Sequence, residues 1–571
     1  MSRISSSFLL PVPLLLLAAS AHAADRPAFH RRIPHPAIVD PNEDALGATF
    51  GWSMTLGDVD GGGSLDELVV TSFFQDDDPF GSPVPDAGAA YAFHTRFLVP
   101  HPQPMLEPAT PQSQQHLGRL DPAVGNPHED PSGERLVFLG AIGSDLTIGG
   151  QPLNNAGTVE TFDLNVPPPA GPNVLSLVPP TAASDPGYPV GVAAFGHSIA
   201  TGDVDGDGFD DLAVGAHDSE LGTGRVYVFF SHPQFLANPH RSWVGLKSTA
   251  GTAESFGASV ALIDLDGDGL CELIVGATER YAQPGTGRTY VYGGATVNGL
   301  TKLDLHVVAE DQLLTPPVPY ANAGQWFGWT LFDVGDMGGT EYATVTSRND
   351  LAVHSEATDW PGAGGLGPVP GAGALFVFMA WDSSDPTPPA SAPFLNPSPV
   401  VLQTPVLTDM GTVVHQPQTI SRFGRGAAPV EWQAGPDPVR GLLVGDPDAN
   451  VQDPNDPAYP NATPVDRAGR VFFFEAPLDA AGGTVSDWGR FVLLEPADSL
   501  AEGSGVPPMA AMTNVSLGPQ PFARFGAWIE SGRYNGFLDH DQFVVSARQR
   551  SFSGLPEAGQ VYSFTWPDPT P

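Results

Sequence analysis

A single cysteine, Cys271, stands in a chain of 571 residues. An intramolecular disulfide is therefore impossible, so stability must come from core burial, closed hydrogen-bond ladders or bound metal. Cys271 opens a strand-like run and reads as a small buried hydrophobe. Basic residues are scarce too: 24 Lys and Arg face 64 Asp and Glu, for a net charge of −40. Such a surface repels phosphate backbones and anionic lipid, which excludes nucleic acid as a partner, and it attracts cations. After residue 23 no run of about 18 apolar residues occurs, so no membrane span is expected. A P-loop, a dinucleotide fingerprint, a His-Glu-x-x-His pair and a Gly-x-Ser-x-Gly elbow are all missing. The 15 His are scattered, and several, such as His30 and His35, sit in a Pro-rich start, so they read as surface or core residues.

Glycine and proline are plentiful instead, at 66 and 61. That suits short strands joined by many turns, and the length suits several domains or one repeat array. Residues 1–23 have the layout of a secretory leader. Arg3 supplies the positive start, Leu9–Ala19 a short apolar run, and Ala21-His22-Ala23 a small-x-small cleavage site. The expected product, residues 24–571, is secreted, periplasmic or on the cell surface.

Internal similarity organises the rest. Phe-Gly followed by a strand-like run recurs as "FGWSMTLGDVD" from Phe50, "FGHSIATGDVD" from Phe195 and "FGASVALIDLD" from Phe256. Weaker copies begin at Phe327, Phe423 and Phe525, and "LGRLDPAVGN" at Leu117 is a degenerate seventh. A second element, Ala or Thr, then Gly, then a run ending in an aromatic residue, follows each start: 87–93, 156–162, 223–229, 286–292, 372–378, 468–474 and 558–564. Between them lies an apolar run such as "DLAVGA" (211–216) or "ELIVGA" (272–277). Each unit thus offers three strands, and the residues before the next Phe-Gly can supply a fourth. Seven four-stranded units predict an all-β, seven-bladed propeller, because radial stacking buries both faces of every sheet. After "AGQVYSFTW" only "PDPTP" remains. The last blade therefore lacks an outer strand, which residues 28–40 are expected to provide, closing the ring without an open edge.

Acidic residues concentrate where the first run meets the second. In "DVDGDGFDD", Asp203, Asp205, Asp207 and Asp211 alternate with other residues, Gly208 permits a tight bend, and Phe209 can offer its carbonyl. Converging carboxylates repel one another unless a hard cation joins them, and calcium takes six to eight oxygen ligands. "DLDGDGLCE" repeats the layout with Asp264, Asp266, Asp268, the Leu270 carbonyl and Glu272. "DVDGGGSLD" keeps Asp58, Asp60 and Asp66 but has Gly62 in the middle, so weaker binding is expected. In the unit at Phe327, Asp333, Asp336 and Glu341 are out of register. An EF-hand is excluded, since its twelfth position would fall on Val214 or Val275 inside strand-like runs. The alternative is a solvated Asp-Gly hairpin without metal.

These repeats and acidic turns resemble the FG-GAP repeats of the integrin alpha-subunit N-terminal propeller and its bacterial relatives. The likeness covers about residues 30–566 and is sharpest in the units at Phe195 and Phe256. It implies that Phe-Gly opens the innermost strand and that the nine-residue turn is a calcium loop. It also implies that a protein or glycan ligand binds the face opposite those loops. There, two long stretches, 347–371 and 446–468, are read as irregular loops after the second strands, with Trp360 and Tyr459 as candidate contacts. A binding or adhesion module is the leading expectation. A carbohydrate- or lipid-cleaving enzyme on a propeller scaffold, and a structural surface protein without a specific ligand, are the alternatives.

Overall fold

The computed structural model describes residues 28–34 and 49–565, apart from one- and two-residue gaps and segments 60–66, 75–83, 95–98, 167–172, 181–193, 249–252, 280–284, 294–304, 338–347, 363–366, 382–390, 434–437, 453–456, 479–519, 533–541 and 550–558. Seven antiparallel sheets form the blades. Their first strands pack on one another in an unbroken ring, blade seven against blade one included. The second strands lie in the middle of each sheet, and Asp211–Ala216, Glu272–Ala277 and Gln542–Ala547 are buried along their whole length. That explains why these runs are continuously apolar rather than alternating.

The two recurrent elements are halves of one contact. In blade three the Phe195 ring meets Tyr227 edge-on at 5.7 Å and Phe229 at 6.2 Å, the aromatic residues of the same blade's third strand. Phe327 meets Phe376 and Phe378 in the same way. The backbone of each Phe-Gly also reaches the previous blade. Phe256 N–H donates to the Thr223 carbonyl (3.0 Å) and Phe327 N–H to the Thr286 carbonyl (3.2 Å). The glycine of the Ala/Thr-Gly pair is required there: a Cβ on Gly224 would sit 2.1 Å from the Phe256 carbonyl oxygen. Phe-Gly thus joins its own blade's aromatics to its neighbour's turn. Apolar clusters fill the interfaces, as between blades three and four, where Val226 and Val228 pack with Val260, Val275 and Tyr290.

Closure follows the expectation. Ala28–Pro34 pairs antiparallel with Gln560–Thr565 as the outer strand of blade seven, and Phe50 bridges Gly559 across the seam. In blade five the structure corrects the sequence reading. The stretch 347–371 was expected to follow the second strand, yet it contains it, as Leu351–Ser355. The hairpin before that strand is long, which hid it, although "DLAV" at 350–353 repeats "DLAV" at 211–214. Leu305–Val307 was also unforeseen: it adds in parallel to the edge of blade three at Trp243–Lys247. Among the described residues no helix is long and apolar enough to cross a membrane.

Candidate functional site

Because the first strand of a blade runs away from its Phe-Gly and the second returns, all first-to-second turns share one end of the ring. The turns of blades three and four join Ser198–Gly202 to Asp211–Ala216 and Phe256–Ile263 to Glu272–Ala277. Gly206 and Gly208 stand at φ +82° and +88°, where side chains are strained. This folds the chain back on its first aspartate. Asp203 Oδ1 accepts from Gly206 N–H (2.7 Å) and Oδ2 from Gly208 N–H (2.9 Å). Asp264 repeats both bonds with Gly267 (2.8 Å) and Gly269 (3.0 Å). Phe209 N–H donates to Asp207 Oδ1, and Leu270 N–H to Asp268 Oδ1, each at 2.9 Å.

The closing acid is the buried anchor. Asp211, at 0% exposure, accepts from Val204 N–H (2.9 Å) and from Ser231 N–H beyond the third strand (2.8 Å). Glu272 accepts from Leu265 N–H (2.8 Å). Burial, with the nearby Asp205 and Asp207 charges, pushes the Asp211 carboxyl up to about 8, against the pull of its two backbone donors. Asp266 is also raised, by burial and by Asp268.

In blade three, oxygens of Asp203, Asp205 and Asp211 lie within 4.8 Å of one another, and in blade four those of Asp264, Asp266 and Asp268 do. Oxygens on opposite sides of a calcium ion, each about 2.3–2.6 Å from it, would be separated by about 4.6–5.2 Å. An oxygen that accepts one N–H keeps a second lone pair for an ion. The donor set, all carboxylate oxygen, therefore fits a hard divalent cation. The two turns differ in which acids converge. Asp207 is turned aside, with Oδ2 accepting from Ser231 Oγ at 2.6 Å, and Glu272 stays at its anchor.

In blade one, Asp60 and Asp66 fall outside the described residues. Spacing nominates Asp66, but the side chain accepting from Val59 N–H is Glu67 (3.1 Å), the first residue of the second strand, as Asp211 and Glu272 are of theirs. The turn is one residue longer than its counterparts. Blade five carries the same anchor, which the sequence reading missed: Asp350 accepts from Met337 N–H and Ala380 N–H, both at 2.7 Å. Asp333 is tied to Gly335 and Asn349, and Glu341 lies outside the described residues.

Neighbouring turns are joined to one another. Cys271 N–H donates to the Asp203 carbonyl (2.7 Å), and Asn349 N–H to the Asp264 carbonyl (3.2 Å). Asp210, the fifth acid of the first turn, accepts from Asn126 N–H of blade two (2.9 Å). Cys271 is half-buried, and its thiol is pushed up to about 12 by burial and by the surrounding acids. At the other end of the ring, Trp360 is only 7% exposed, so it packs inward, and Tyr459 is outside the described residues.

The FG-GAP repeat is matched at residues 195–229 and 256–292, the strands and turns just described. Integrin alpha-PS2 of Drosophila melanogaster is 30% identical over 177 residues, which are 29% of this chain and 12% of that protein. Human integrin alpha-7 is 31% identical over 172 residues, 28% of this chain and 13% of its own. Bovine phosphatidylinositol-glycan-specific phospholipase D is 28% identical over 182 residues, 30% of this chain and 19% of that enzyme. The chain thus spans only a small part of the relatives it matches. With these repeats and a closed ring of seven blades, the chain is an FG-GAP β-propeller resembling that of the integrin alpha subunits.

Proposed function

We propose that this protein is a secreted, calcium-binding propeller that acts as a binding or adhesion module. Its protein or glycan ligand would be taken on the Phe-Gly end of the ring, opposite the acidic turns. The observation that carries the calcium part is the pair of converging aspartate triads in adjacent blades, Asp203/Asp205/Asp211 and Asp264/Asp266/Asp268. Phe209 and Leu270 would add their carbonyls, Asp207 and Glu272 would move in on binding, and Asp58 with Asp60 and Asp66 would form a weaker third site. Calcium would replace the repulsion of each turn with attraction and tie blades three and four together through the Asp203–Cys271 hydrogen bond. The similarity to integrin alpha chains supports a binding role, and the leader-like residues 1–23 support export.

The test is retention of the purified protein on arrays of extracellular proteins and glycans, in calcium and in chelator. Saturable, competable binding to a defined species supports the module. Uniform failure on both arrays in calcium refutes it.

A further inference from the structure

Opposite the acidic turns, the ring gathers arginines. Arg422 and Arg425 flank Phe423-Gly424 at the entry to blade six, and Arg524 immediately precedes Phe525 at the entry to blade seven. Arg548 directly follows the second strand of blade seven, Gln542–Ala547. Strand entries and second-strand exits lie at the same end, so four guanidinium groups from two blades meet. Glu356 and Asp448, which follow the second strands of blades five and six, stand among them. Arg422 Nε lies 3.0 Å from Glu356 Oε1 and 3.3 Å from Asp448 Oδ2, Arg524 Nε is 2.9 Å from Asp448 Oδ1, and Arg425 Nη1 is 3.9 Å from Glu356 Oε1.

Arg548 is the deepest of the four, at 2% exposure, and its Nε has no hydrogen-bond partner among the described residues. Its Cζ sits 4.2 Å from the centre of the Trp52 ring. Trp52 stacks on Phe73, and Phe73 on His116, each at 4.8 Å. This aromatic column holds the guanidinium in place without neutralising it. Side-chain exposure falls from 29% at Arg422 to 16% at Arg524 and 10% at Arg425, so the cluster runs from a more exposed edge to a buried interior. Burial and mutual repulsion hold Arg425, Arg524 and Arg548 below the ordinary arginine range. Among the described residues, four buried or half-buried cations share two carboxylates, in a chain whose net charge is −40. An excess of buried positive charge is costly unless an anion joins it.

We propose that Arg422, Arg425, Arg524 and Arg548 form a binding site for an oxyanion group, the chemistry shared by carboxylate, sulfate and phosphate. Guanidinium forks match such groups bidentately and keep their charge at any physiological pH. The anion enters past Arg422 and Arg524, bonds the unpartnered Nε of Arg548 with Arg425 beside it, and relieves the repulsion among the four. Trp52 is a positioning residue for Arg548.

The experiment uses the full chain at fixed ionic strength, once in chelator and once in calcium, so that its outcome is independent of the metal reading. Acetate, glucuronate, sulfate and inorganic phosphate each replace chloride, with binding read by calorimetry and by melting temperature. Saturable binding of at least one oxyanion at one site per chain is expected, and the order of the four probes distinguishes a carboxylate site from a sulfate or phosphate site. Arg422→Gln and Arg524→Gln, at the more exposed positions, should each weaken it about tenfold. Glu356→Gln removes a competing carboxylate and should tighten it several-fold, a gain that a purely structural ion-pair cluster would not produce. Arg440→Gln, on the hairpin at the other end of blade six, should change nothing. Absence of saturable binding by all four probes, or binding undiminished in both Arg422→Gln and Arg524→Gln, overturns the proposal.

Discussion

The two ends of this ring handle charge in opposite ways. At one end, nine consecutive residues carry the acids of each turn in blades three and four, half-exposed in the loop and buried at the closing acid, and every carboxylate comes from a single hairpin. At the other end, arginines from two blades lie buried against Glu356 and Asp448, with an aromatic column from blade one beneath them. The acidic turns are local devices that a sequence spells out by spacing. The basic cluster is a product of ring closure, and Arg422 and Arg548 are far apart along the chain.

The strongest way to break the buried-charge end is to remove half of a pair. Arg470 and Asp446 are both 0% exposed and joined at 2.7 Å. Asp446→Asn leaves the guanidinium buried without its counter-charge and should cost about 3–5 kcal/mol in chemical denaturation. A double change to apolar residues, Asp446→Leu with Arg470→Met, should recover much of the loss.

Acid offers a second probe of the same end. His354 is fully buried beside Arg425 and Arg422, and burial followed by their charges pushes its imidazole down to about 3. Between that value and the ordinary value of about 6.5 the unfolded chain binds a proton that the folded one refuses. The contribution of His354 is therefore whole above pH 6.5 and declines as the pH falls, by up to about 1.4 kcal/mol per unit. In pH-dependent melting, His354→Asn should flatten this acid slope relative to wild type.

A finer comparison lies within the acidic end. Asp268 joins the converging triad of its turn, whereas Asp207 is held aside by Ser231. Asp268→Ala should weaken calcium binding to blade four roughly tenfold, equivalent to about 1.4 kcal/mol, and Asp207→Ala should weaken blade three by less. Calorimetric titration of the two variants decides the order. The smallest effect expected is a gain: Gly62→Asp restores the absent acid of blade one and should add a fraction of a kcal/mol of calcium-dependent stability, read as a small rise in melting temperature.

The repeats were legible because each is a physical contact. Phe-Gly and the later aromatic residue co-occur because the rings touch, and the Gly of Ala/Thr-Gly is fixed by the next blade's backbone. The missing outer strand was legible because an unclosed edge is costly, and Ala28–Pro34 fills it. Blade five was misread because its anchor, Asp350, stands well beyond the position that nine-residue spacing prescribes. In blade one the side chain tied to Val59 N–H is Glu67, one residue beyond the position that spacing prescribes, because the anchor is set by where the second strand begins. That anchor recurs in blades one, three, four and five, so a closing acid marks a strand start, and it is the alternating aspartates before it that make a turn a candidate cation site. Nothing in local spacing announces the arginine cluster, since its members share no motif beyond adjacency to strand ends.

Calcium binding by two turns in adjacent blades underlies the proposed function. Its most direct test is equilibrium titration of the chelator-stripped protein with calcium, followed by melting. Wild type should bind two ions at the turns of blades three and four, with any third at blade one weaker. Asp205→Ala and Asp266→Ala should each remove one of the two. At free calcium 100 times the dissociation constant, each occupied site should add about 2.7 kcal/mol of stability, and on the order of 1–2 kcal/mol if the sites have the millimolar affinity of many extracellular modules. A flat titration, with a melting temperature that is the same in calcium and in chelator, would contradict the account and leave the aspartates as solvated turns.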